Sequence, residues 1–122
     1  KLGERIAQDM YAPIKNTHRI TLEQMAMLEP AMVETLSQTA MEVVKEGYDK
    51  IVELGVPEAA ARDFVLGHLR IQIAVLFNEV NGTFSDAAYK ISKRAKPILF
   101  KDNWKKIFDM DDIKQQVKDI VK

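Results

Sequence analysis

The stretch TLEQMAMLEPAMVETLSQTAMEVVKEGYDKIVELG, Thr21 to Gly55, decides the fold. It opens on Thr21-Leu-Glu-Gln24, a capping box in which the hydroxyl accepts from the amide three residues on and the glutamine reaches back. It closes on Gly55, a residue suited to the left-handed conformation that ends helices. Between them only Pro30 opposes a helix, by lacking an amide donor and crowding the preceding turn. The spacing therefore predicts a helix of about 33 residues, roughly 50 Å at about 1.5 Å of rise per residue, with a kink or split near Glu29 as the alternative. An unbroken rod of that length exceeds a lone globule of this size and calls for a partner to cover it.

Working outward, Pro57 suits a first helical turn, and a second helix is expected from Pro57 to Val80, closed by Asn81-Gly82. From Phe64 to Phe77 apolar residues surround that helix, the pattern of a central, buried element. Ser85-Asp86 can cap a shorter helix through about Ala95, ended by Lys96-Pro97. Trp104, Ile107 and Phe108 have the spacing of an anchoring face. Asp111 or Asp112 can cap a terminal amphipathic helix carrying Ile113, Val117, Ile120 and Val121. The first residues, Leu2 to Tyr11, read as a short helix ended at Ala12-Pro13. No β-branched alternating run, internal repeat or linker interrupts this all-α pattern, so residues 1–122 read as one helical domain with two long helices.

Composition narrows the function. The 122 residues carry 18 basic and 18 acidic side chains, a net charge of zero. Nine basic against five acidic residues in the last thirty is too mild an excess to indicate nucleic acid. The longest apolar run, Ile73 to Phe77, is far shorter than a membrane span or signal peptide requires. The absence of cysteine removes disulfides, thiol nucleophiles and thiolate metal sites, and suits the cytoplasm. Gly3, Gly47, Gly55, Gly67 and Gly82 are scattered and none follows a strand, so this chain alone is not expected to bind a dinucleotide. The chain starts at Lys1 rather than at methionine, which suits a piece of a longer protein.

Polar residues on the apolar helix are the most informative chemically. His68, Gln72 and Glu79 fall on one stripe. His68 can serve proton transfer near neutral pH, or be a histidine hydrogen-bonded inside a core or subunit interface. Asp63 and Arg70 can pair, or the arginine can grip a carboxylate. Glu23 and Glu34 share a stripe on the long helix, but no His-x-x-x-His or dense acidic box accompanies them, and no metal site is expected. Met25, Met27, Met32 and Met41 read as core or interface filler, or as an interaction face.

Three stretches, His18 to Thr35, Gly55 to His68 and Phe84 to Ala88, resemble the C-terminal domain of 6-phosphogluconate-dehydrogenase-like proteins. The likeness is greatest to the branch of phosphogluconate dehydrogenase (decarboxylating) C-terminal-like domains that includes D-apionate oxidoisomerase-type enzymes. A fainter similarity to acetohydroxy-acid isomeroreductase lies in Glu23-Gln24 and Pro57-Glu58, but Arg19 and Gly67 stand where that family places metal-binding carboxylates. The resemblance implies a 6-phosphogluconate dehydrogenase C-terminal-like fold, an interlocked homodimer, and an N-terminal Rossmann domain, absent from this chain, that binds NAD or NADP. It implies the substrate-binding and dimerisation domain of an NAD(P)-dependent hydroxy-acid or sugar-acid dehydrogenase, inactive as this fragment alone. His68 becomes the expected catalytic residue, and Glu23, Gln24, Glu34 and Gln72 the expected substrate-binding residues. The alternative is a free-standing helical dimerisation or partner-docking module without catalysis.

Overall fold

The computed structural model describes residues 17–122; the helix expected over Leu2 to Tyr11 lies outside them. Helix α1, Leu22–Ala26, begins at the capping box read from the sequence. The Gln24 amide donates to Thr21 Oγ1 at 3.1 Å, and the Thr21 amide donates to Gln24 Oε1 at 2.9 Å.

The helix does not break at Pro30. It widens into a π-helical segment, Met27–Gln38, and returns to α geometry as α2, Thr39–Glu53. A proline inside an α-helix deletes one hydrogen bond and presses its ring on the carbonyl one turn back. The wider π turn makes room for the ring, and Pro30 and Ala31 end up buried. The Thr35 hydroxyl lies 2.6 Å from the Pro30 carbonyl oxygen and reinforces the widened turn. The rod ends as expected: Gly55 has φ +111°, and the Gly55 and Val56 amides donate to the carbonyls of Val52 and Ile51, both at 3.0 Å.

Helix α3, Glu58–Leu76, follows Pro57 and packs on α2. It ends earlier than the expected Val80 and Asn81-Gly82. Asn78 takes φ +58°, and the Glu79 amide donates to the Ala74 carbonyl at 2.8 Å, so Asn78 fills the left-handed position usually given to glycine. A larger correction concerns burial. Only Ala61 of α3 is buried, while Phe64, Leu76 and Phe77 are 67%, 66% and 68% exposed. The apolar surround of this helix is real, but among the described residues only α2 packs extensively against it.

Ser85 caps α4, Asp86–Leu99, its Oγ accepting from the Ala88 amide at 3.2 Å. The helix runs past the expected stop at Ala95 and carries Pro97 inside it. In the last turn a proline removes a single bond, and only two helical residues follow it. No other element of the described chain packs extensively on α4, and Ile98 and Leu99 are 66% and 70% exposed.

A 3-10 turn, Trp104–Phe108, and α5, Met110–Ile120, fold back onto the π segment. Trp104, Ile107 and Phe108 are half-buried, as an anchoring face should be. Asp109, not Asp111 or Asp112, occupies the cap position of α5, and the latter two sit in its first turn. There their charge favours the helix N-terminus without a capping bond. Ile113 meets the buried Pro30 and Ala31 surface, making a small core between α5 and the π segment. The described residues are all-α, with no strand. They form a body of α1, the π segment, α2, the 3-10 turn and α5, from which α3 and α4 extend.

Candidate functional site

Two separate surfaces carry the residues singled out by the sequence. The first is an apolar groove of about 700 Å³ between the start of the long helix and α5. The continuous helix brings Glu23, Glu29 and Glu34 to one bank, and Lys114 and Lys118 of α5 form the other. Met25, Pro30, Ile113 and Val117 floor it. Carboxylates opposite ammonium groups across an apolar floor suit an elongated ligand with both polar and apolar parts. Lys114 and Lys118 were not anticipated, although their four-residue spacing on an amphipathic helix puts them on one edge.

Gln24 has a structural duty: its Oε1 accepts from the Thr21 amide in the capping box. Met25, Met27, Met32 and Met41 are partly exposed, with Met25 in this groove and Met41 in a hollow between α2 and α3.

The second surface lies on α3. His68 lines an open hollow of about 480 Å³ with Asp63, Phe64, Gly67 and Ile71. Its ring stacks on Phe64, one helical turn earlier, with centroids 4.1 Å apart and planes 25° apart. Nδ1 is 2.9 Å from the Phe64 carbonyl oxygen. A carbonyl only accepts, so this contact assigns the proton of neutral His68 to Nδ1 and leaves the Nε2 lone pair to receive a proton. Gln72 is exposed on the next turn. Glu79 has left the stripe, because α3 stops at Leu76. No ion pair joins Asp63 to Arg70 among the described residues. Within the described chain, His68 and the Glu23–Glu34 groove line different hollows.

The described residues contain no group of three or more His, Asp or Glu side chains placed to hold a metal ion. Gly47 and Gly67 lie inside helices, Gly55 ends one, and Gly82 lies in the irregular stretch before α4. None forms the strand-to-helix phosphate turn that a dinucleotide requires. No helix among the described residues is long and apolar enough to cross a membrane.

Comparison with known proteins gives this arrangement its context. Residues 1–121 match the family described as phosphogluconate dehydrogenase (decarboxylating) C-term. The chain is 47% identical over 119 residues to a D-apionate oxidoisomerase from Cupriavidus necator and 45% identical to one from Rhizobium rhizogenes. In each case the match covers 98% of this chain and 43% of the relative. A crystal structure of a semialdehyde dehydrogenase NAD-binding protein from Cupriavidus necator, in complex with calcium and NAD, superposes with a TM-score of 0.90 at 47% identity, again over 98% of this chain and 43% of that one. The chain thus spans less than half the length of the relatives it matches. By sequence over nearly its whole length, and by fold, it belongs to the family of phosphogluconate dehydrogenase (decarboxylating) C-terminal domains.

Proposed function

We propose that this chain is the substrate-binding and dimerisation domain of an NAD(P)-dependent sugar-acid or hydroxy-acid dehydrogenase, completed by an N-terminal Rossmann domain. The observation that carries the reading is the coverage: 98% of this chain corresponds to 43% of enzymes named D-apionate oxidoisomerase. In this reading one further domain accounts for the remainder of those enzymes, and the cofactor belongs to that other domain, where the nicotinamide, when bound, supplies the hydride acceptor.

What this domain contributes is a wall of the cleft. In this reading His68 Nε2 takes the proton of the substrate alcohol as oxidation proceeds, with Nδ1 held by the Phe64 carbonyl. Gln72, Gln24 and the Glu23–Glu34 groove would give hydrogen-bond partners to hydroxyl groups of a polyol acid; Gln24 itself does not line the groove, and its Oε1 accepts from the Thr21 amide. His68 and the groove line separate hollows within one described chain; a second subunit or the N-terminal domain would bring them to one cleft.

Dimerisation is the second half of the proposal. Phe64 on α3, Phe77 just after it, and Ile98 and Leu99 on α4 are mostly exposed, and exposed large apolar side chains of this kind favour an interface. A twin subunit whose own α3 and α4 interlock with them would cover both helices. A cytoplasmic enzyme fits the lack of cysteine.

The test is oxidation of a panel of sugar acids that includes D-apionate, with NAD and with NADP, by the full-length protein and by the 122-residue chain. Turnover by the full-length protein alone is the expected result. No oxidation of any acid by the full-length protein would favour a non-catalytic docking module, and robust turnover by the isolated chain would overturn the two-domain division.

A further inference from the structure

Between Lys90 and Phe108 the sequence places seven basic residues against one acid, Asp102. The fold gathers part of this excess into one corner. The last turn of α4 meets the 3-10 turn through residues 100–103, closed by the Trp104 amide donating to the Lys101 carbonyl at 3.1 Å. The corner encloses a hollow of about 300 Å³ lined by Lys96, Lys101 and Lys105, with Asp102 and the indole of Trp104. Lys96 Nζ and Lys105 Nζ each lie 5.8 Å from the centre of the same indole.

None of these three lysines takes part in an ion pair among the described residues. The two that share the indole are held within about 12 Å of one another, close enough for like charges to repel at low salt. A single anion between them would relieve that repulsion.

We propose that this corner binds a phosphate-type dianion, free or as the monoester of a small polyol. Three ammonium groups and one carboxylate leave a charge of about +2, matching a phosphate monoester, which carries about −1.5 to −2 near neutral pH. Lysine binds phosphate as a flexible point charge and needs no forked geometry. The indole adds an apolar wall for the carbon skeleton of an ester. A simple carboxylate, with a single charge, matches the corner less well. The site involves neither His68 nor the Glu23–Glu34 groove, and it stands whether or not the dehydrogenase reading does.

Trp104 is the only tryptophan in the chain, so its fluorescence reports on the corner directly. The 122-residue chain is titrated at constant ionic strength with inorganic phosphate, glycerol 1-phosphate and gluconate, with far-UV circular dichroism as the control for fold. Saturable changes with both phosphate probes, in the millimolar range or tighter, and a weaker response to gluconate are expected. Equal affinities for the two phosphate probes would assign recognition to the anion alone, whereas tighter ester binding would add the indole wall. Lys96→Gln or Lys105→Gln should each weaken binding about threefold, the scale of one exposed charge contact, and Lys45→Gln should leave it unchanged. A response that merely tracks ionic strength, an equal loss in Lys45→Gln, or no saturation by either phosphate probe would overturn the proposal.

Discussion

The hydroxyl of Thr35 on the π segment lies 2.9 Å from Oε1 of Gln116 on α5, joining residues 81 positions apart in the chain. The same hydroxyl is 2.6 Å from the Pro30 carbonyl, and its one proton is shared between the two acceptors. Gln116 Nε2 in turn donates to the Ile107 carbonyl and to Asp112 Oδ2, both at 2.7 Å. One glutamine thereby ties together the widened helix, the 3-10 turn and α5, around the small core at Ala31 and Ile113.

Removing this side chain strands several part-buried acceptors and donors at once. Gln116→Ala is expected to destabilise the chain by about 2 kcal/mol and Thr35→Val by about 1 kcal/mol. Urea unfolding checks both, as a lower midpoint with unchanged slope. Because the two side chains share a bond, the double variant should lose less than the two single losses added together.

Asn78 holds a left-handed backbone at the end of α3, a conformation that costs an L-residue about 1–2 kcal/mol, less for asparagine. Asn78→Gly should raise stability by about 0.5 kcal/mol, and Asn78→Val should lower it by more than 1 kcal/mol. Thermal denaturation of the two variants gives opposite signs if the turn is as described.

The contrast between Gly55 and Asn78 shows what the sequence made legible. A glycine after a long periodic run announces a helix end, and Gly55 is one. Asn78 is a weaker signal than the Asn81-Gly82 pair nearby, which points to a later end for α3 than the one the structure shows. The capping box of Thr21 and Gln24 and the cap at Ser85 are local devices, readable from four residues. Passage of the helix through Pro30 is not local, because the widened turn is tied to α5 by Thr35 and Gln116. The exposure of Phe64 and Phe77 was equally hidden: periodicity reveals that a helix needs cover without revealing which chain supplies it. Glu23 and Glu34 line one groove, and the opposing Lys114 and Lys118 come to it only through the tertiary fold.

Gln24 has both a cap role and a proposed substrate role, and the two separate experimentally. Thr21→Ala removes only the cap and should cost about 1 kcal/mol of stability, with kcat/KM of the full-length enzyme unchanged. Gln24→Ala should cost a similar amount and also raise KM if its side chain contacts substrate. An unchanged KM would leave Gln24 as a capping residue alone.

His68→Ala in the full-length enzyme is expected to lower kcat/KM by about 100-fold, the lower range for loss of a positioned proton-transfer group. His68→Phe keeps a ring to stack on Phe64 and should be equally inactive yet stable. Activity retained by either variant across the pH profile would return His68 to a packing role.

The central claim, that a second copy covers α3 and α4, is tested most directly by light scattering of the 122-residue chain over a wide concentration range. The account predicts a stable species of twice the 13.9 kDa chain mass, converted to monomer by placing a charge in the exposed apolar face, as in Phe77→Asp. A strict monomer at all concentrations, with Phe77→Asp behaving as the parent, would contradict it.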